Sequence, residues 1–85
     1  MNIGYKPKFV RRFNKLEPDL QEEVLKTIEL LLYTKNHKSL KVHKLGGKLK
    51  TFFSCSVNYS YRIIFFYESK KDITLVTVGN HEVYK

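Results

Sequence analysis

Two runs of strand-forming residues, Lys48 to Val57 and Tyr61 to Tyr67, are separated by a short polar break at Asn58-Tyr59-Ser60. In the first run the side chains alternate. Leu49, Thr51, Phe53, Cys55 and Val57 share one side, while Lys48, Lys50, Phe52, Ser54 and Ser56 share the other, the period of two that a half-buried strand requires. The second run is β-branched or aromatic almost throughout, as in a strand covered on both faces, and its only charge is Arg62. A chain with this stretch at its centre must build a β-hairpin into a sheet. A guanidinium in that setting needs either a carboxylate or an anion from outside. No Asp or Glu occurs between Glu29 and Glu68, so the hairpin reads as a platform for something negatively charged.

The flanking segments supply what the hairpin packs against. Asn2 to Tyr5 has the pattern of a short strand. Pro7 stands where a first helical residue belongs, and Phe9, Val10, Phe13 and Leu16 follow at helical spacing, with Lys8, Arg11, Arg12 and Lys15 on the outer side. Glu17-Pro18 stops this helix, and Pro18 opens a second one. Its first turns carry Asp19, Glu22 and Glu23, where the macrodipole favours negative charge, and Leu20, Val24, Ile28, Leu31 and Leu32 form its apolar stripe. The tight connection makes the two helices a hairpin. Asn36 to Gly47 shows no period, and its Gly46-Gly47 pair permits a tight approach or a bulge. After a polar turn at Glu68 to Asp72, Ile73 to Val78 is a third strand of the meander. The expected fold is α+β: an N-terminal strand and a two-helix hairpin packed on one face of a small, mainly antiparallel sheet, as one domain over residues 1–85. The other face is expected to be open.

An 85-residue chain has room for one core. No apolar run approaches a membrane span, the first residues lack a secretion-signal layout, and one cysteine forms no internal disulfide; a reducing cytoplasm is therefore expected. The net charge of +8 suggests an acidic partner. Its distribution is more informative. Residues 1–16 carry five basic residues and no acid, and residues 30–67 carry seven basic residues and no acid, whereas five of the eight acids lie between Glu17 and Glu29. Three scattered histidines and Cys55 lack metal-ligand spacing, so neither metal nor other cofactor is expected.

Three segments carry a family resemblance. They are Leu40-Lys41-Val42-His43-Lys44-Leu45-Gly46-Gly47-Lys48-Leu49, then Ser54-Cys55-Ser56-Val57-Asn58-Tyr59-Ser60-Tyr61-Arg62-Ile63-Ile64-Phe65, and last Val78-Gly79-Asn80-His81-Glu82-Val83-Tyr84. Together they resemble the RelE/ParE superfamily of toxins, nearest to the RelE/StbE-type messenger-RNA interferases of type II toxin–antitoxin pairs, over essentially the whole chain. The resemblance implies a ribosome-dependent endoribonuclease that cleaves messenger RNA in the decoding site. It also implies neutralisation by a cognate antitoxin, with operator DNA bound through the antitoxin in the complex. In such toxins a concave sheet face takes the RNA. Arg62 matches the arginine that contacts the scissile phosphate, Tyr84 or His81 the C-terminal residue in acid–base chemistry, and His43 stands about where some relatives place a carboxylate base. The superfamily also includes toxins that poison DNA gyrase, and a basic RNA-binding module without catalysis is a further alternative.

Metal-free RNA cleavage needs a base for the 2′-hydroxyl, cations for the charge growing on phosphorus, and an acid for the departing 5′-oxygen. The residues expected to supply these are His43 as base, His81 with Tyr84 as acid, and Arg62 with Lys50 as the phosphate clamp. Lys41, Lys44, Lys48, Lys50, Ser54 and Ser56 are expected to contact RNA or ribosome. Cys55 is expected in the core and His37 on the surface.

Overall fold

A computed structural model describes residues 2–49 and 51–80. Strand β1 (Asn2–Tyr5) leads into helix α1 (Pro7–Asn14) and helix α2 (Pro18–Leu31); β2 (His43–Lys44), β3 (Phe53–Ser56), β4 (Arg62–Tyr67) and β5 (Asp72–Gly79) follow. The five strands form one sheet in the order β1-β5-β4-β3-β2, antiparallel except where β1 runs parallel to β5. Both helices begin on the prolines that mark them in the sequence.

The core lies between the helical hairpin and one sheet face. Phe9 of α1 and Val24, Ile28 and Leu31 of α2 cluster with Cys55, Ile63, Phe65, Ile73, Leu75 and Val78. Phe53, Phe65 and Tyr67 extend this side as a ring cluster, with centroids 4.9 to 5.8 Å apart. Two side chains beyond α2 satisfy carbonyls at its end: Asn36 Nδ2 donates to Leu30 O at 2.9 Å, and His37 Nε2 donates to Leu31 O at 2.9 Å. His37 is therefore a half-buried cap rather than the surface residue expected. Among the described residues no helix is long and apolar enough to cross a membrane.

Three expectations are corrected. The first run of the central stretch is not one strand from Lys48 to Val57. Gly47 takes a left-handed backbone (φ +60) and Gly47–Leu49 form a 3₁₀ turn, so pairing starts only at Phe53. The apparently aperiodic segment before it contains β2, a strand too short to show a period; Leu45 N–H donates to Phe52 O at 2.9 Å and closes the hairpin between β2 and β3. Finally, the sheet face away from the helices is not bare. Ser54, Ile64, Thr74 and Thr77 are all buried at its centre.

Cys55 is fully buried among apolar side chains. Burial pushes its thiol up to about 12, against smaller downward effects from a hydrogen bond with the Ile63 backbone and from the Arg62 charge. An unfolded thiol ionises from about pH 9, so above that pH the unfolded chain sheds a proton that the folded chain keeps. Stability should fall as pH rises from about 9 to about 12, by roughly 1.4 kcal/mol per pH unit at most. The expected observation is that wild type loses stability relative to Cys55→Ala across this window, while the difference between the two stays flat from pH 6 to 8 in denaturant titrations.

Candidate functional site

Strand phase decides which side chains share the far face of the sheet. Residues directly opposite each other in a ladder point the same way. One row across the sheet runs His43, Ser54, Ile64, Thr77. The next row, one full period along β4, runs Ser56, Arg62, Gly79. Ile63, Phe65 and Val78 belong to the helix-packed core, so both rows lie on the opposite side. Two interstrand spacings and one strand period put the backbones of His43 and Arg62 about 12 Å apart.

Arg62 is held by the turn between β3 and β4. Its Nη1 donates to Asn58 O at 2.6 Å and to Tyr61 O at 3.0 Å. Asn58 is the keystone of this turn: its Oδ1 accepts from the backbone N–H of Ser60 and of Tyr61, both at 2.9 Å, and its Nδ2 donates to Glu23 Oε2 on α2 at 2.7 Å. A guanidinium has five N–H donors, and these two bonds engage only one nitrogen. Among the described residues no carboxylate pairs with Arg62. Tyr59, at the tip of the same turn, is 92% exposed.

His43 is exposed, and its tautomer follows from its partner. Its Nδ1 lies 2.8 Å from Lys41 O, and since a carbonyl only accepts, the proton sits on Nδ1. Nε2 of the neutral ring is then a free base. Lys41 itself adopts φ +56, the left-handed region that a lysine rarely occupies. That backbone turn aims its carbonyl at the imidazole.

The other expected site residues separate. Ser56 stands beside Arg62. Ser54 lies on the same face but is 0% exposed, so its hydroxyl is not offered to solvent. Lys44 pairs with Phe53 and therefore falls on the helix-packed side of the sheet edge, away from His43. Lys48 is exposed in the loop between β2 and β3 rather than on a strand. Lys41 is exposed and serves His43 through its backbone. Lys50, His81 and Tyr84 lie outside the described residues.

Sequence reasoning missed three contributors. Phe66 stands on the far face with Phe52, ring centroids 6.0 Å apart, and Lys6 Nζ lies 5.9 Å from the Phe66 centroid. Asn58 was legible only as part of a polar break, although an asparagine opening a turn is a recognisable signal. Thr77 enters the face through a β-bulge: Ile64 pairs with Thr77 and Phe65 with Leu75, leaving Val76 as the extra residue. Among the described residues no group of His, Cys, Asp and Glu could hold a metal ion.

This geometry coincides with a family match. Residues 7–81 match the model of the HigB-like toxins, described as the RelE-like toxin of the type II toxin–antitoxin system HigB. The chain belongs to this family. It is thus a RelE-family toxin of a type II toxin–antitoxin system. Its fold is similar to that of the RelBE2 toxin–antitoxin complex from Mycobacterium tuberculosis, with TM-score 0.77 and 16% identity over 94% of this chain and 96% of that one. The YoeB-YefM complex from Staphylococcus aureus matches with TM-score 0.75 and 14% identity, covering 95% and 97%. The archaeal RelE-RelB complex from Pyrococcus horikoshii matches with TM-score 0.73 and 18% identity, covering 93% and 92%. At these identities the likeness concerns the fold. Among curated proteins no sequence matches.

Thr77 Oγ1 is buried, at 4% residue exposure, without a hydrogen-bond partner among the described residues. An unmet buried hydroxyl costs about 1–3 kcal/mol. Thr77→Val, which keeps the shape and removes the hydroxyl, is expected to raise stability by about 1 kcal/mol, read as a higher midpoint in chemical denaturation with an unchanged slope.

Proposed function

We propose that this toxin is a metal-independent endoribonuclease that cleaves messenger RNA on the ribosome and so inhibits translation. The observation that carries the reading is Arg62. Its guanidinium stands on the sheet face away from the helices, anchored through one nitrogen, with no carboxylate among the described residues to neutralise it. Such a group binds a phosphodiester in bidentate fashion and stabilises the charge that builds on phosphorus.

In the proposed reaction His43 Nε2 takes the proton of the 2′-hydroxyl, and the resulting oxygen attacks the adjacent phosphorus. The bond from phosphorus to the 5′-oxygen breaks, leaving a 2′,3′-cyclic phosphate on one fragment. The departing 5′-oxygen receives a proton and becomes a hydroxyl. His81 with Tyr84 is the proposed acid, and Lys50 the proposed companion of Arg62. Lys41 and Lys48, exposed near His43 and in the neighbouring loop, supply positive charge that attracts RNA. The aromatic pair Phe52 and Phe66 offers a surface for base stacking farther along the face.

The proposed regulator is a cognate antitoxin, the partner type named in the similar solved complexes; the complex would bind operator DNA through the antitoxin. A covering partner also suits the exposed apolar groove between the helices, lined by Tyr5, Phe9, Val10, Phe13, Leu25 and Ile28.

The test is expression of wild type, Arg62→Ala and His43→Ala in cells, with cleavage ends mapped on ribosome-bound messenger RNA. Each substitution is expected to lower cleavage by about a hundredfold or more while the purified variants keep the wild-type unfolding transition. Growth arrest by Arg62→Ala with messenger RNA intact would sink the nuclease reading. DNA damage in place of RNA cleavage would assign the protein to the gyrase poisons.

A further inference from the structure

A further concentration of positive charge stands not on the sheet face but beside it. Lys8, Arg11, Arg12 and Lys15 of α1 and its C-cap line a groove of about 490 Å³, closed on the other side by Tyr61, Val78, Gly79 and Asn80. The four cations recur at i, i+3, i+4 and i+7, one stripe down the helix, and all four are exposed. Among the described residues none has a carboxylate partner, and the first sixteen residues contain no acid.

This stripe opposes the stability of its own helix. Lys8 with Arg12 and Arg11 with Lys15 are like-charge pairs at i,i+4, each unfavourable by a few tenths of a kcal/mol. The first turn carries no acid, and Lys6 gives the N-terminus no side-chain cap. Arg11 and Arg12 in the last turn suit the macrodipole, but Lys8 at the start does not. A merely soluble surface would interleave acids, as α2 does. A local choice that works against the fold marks a functional surface.

The groove adjoins the Arg62 row at the end of the sheet. Gly79 pairs with Arg62 across the ladder and also lines the groove, and Tyr61 is the residue before Arg62. A strand of RNA that passes round this end of the sheet from Arg62 would meet α1. The stripe is about 10 Å long, which matches two to three nucleotides of a single strand.

We infer that the α1 groove is an extension of the cleavage site, binding the backbone phosphates of the RNA strand that flanks the scissile step. The inference rests on the nuclease reading for its substrate, but it concerns binding by residues outside the reaction. Its test separates the two. Arg11→Gln/Arg12→Gln/Lys15→Gln, Arg62→Ala and wild type are titrated with single-stranded RNAs of four and twelve nucleotides, 2′-O-methylated at every position to block cleavage, over a range of salt concentrations.

Wild type should bind the longer strand more tightly, and the triple variant should lose that gain while binding the four-nucleotide strand as wild type does. Its salt slope on the longer strand should fall by about 2, roughly 0.7 for each phosphate contact removed. Equal binding of the longer strand by wild type and the triple variant overturns the inference, even if Arg62→Ala abolishes cleavage. A triple variant that keeps RNA binding but no longer co-purifies with its antitoxin also overturns it, giving the groove to an acidic protein segment. If Arg62→Ala leaves cleavage intact, the role given to Arg62 falls; if wild type arrests growth with messenger RNA intact, the nuclease reading falls; in both cases the length and salt dependence still decide the groove.

Discussion

The structure depends on the phase of β4. Ile63 and Phe65 are fully buried against the helices, and each such side chain contributes about 1.5–3 kcal/mol through removal of apolar surface from water. Because strand side chains alternate, that burial fixes Arg62 on the opposite face. A slip of one residue would drive the guanidinium into the core, where an unpaired charge costs several kcal/mol. The hydrophobic effect, which has no direction of its own, thereby aims a cation.

A second constraint rigidifies the same region. Asn58 ties the turn before Arg62 to Glu23 on α2, so the hairpin is linked to the helical layer at this end of the sheet. The only acid-rich element of the chain supplies the tether. Its charge sits on the helix side; the α1 groove is lined by no carboxylate among the described residues, and on the sheet face Glu68 accepts from Thr74 Oγ1 at the end of β4 away from Arg62.

The helices were legible because prolines mark both starts and the apolar spacing is long enough to show a period. Arg62 was legible as a charge in need of an anion, but its face was not: the second run shows no alternation, and the side follows only from the burial of Ile63 and Phe65. Strand β2 was not legible, since two residues flanked by lysines carry no period. The first central run was read too long because alternation from Lys48 onward persists through residues that Gly47 has already turned out of the sheet. The parallel pairing of β1 with β5 joins opposite ends of the chain and leaves no local trace. Likewise the basic stripe of α1 was visible, but the groove it lines exists only because β5 ends beside it. The tautomer of His43 depended on a left-handed Lys41 that nothing in the composition announces.

The extra residue at Val76 acts as a frameshift within β5. In a regular strand continuing from Ile73 and Leu75, the next residue inward would be Thr77, and Val76 and Val78 would stand on the side away from the helices. The inserted residue exchanges these roles: Val78 returns to the core and Gly79 comes to lie opposite Arg62. The strand is thus divided into two half-strands of opposite parity, and Gly79 places no side chain opposite Arg62. Deleting one residue at this point would preserve the strand and invert everything that it presents.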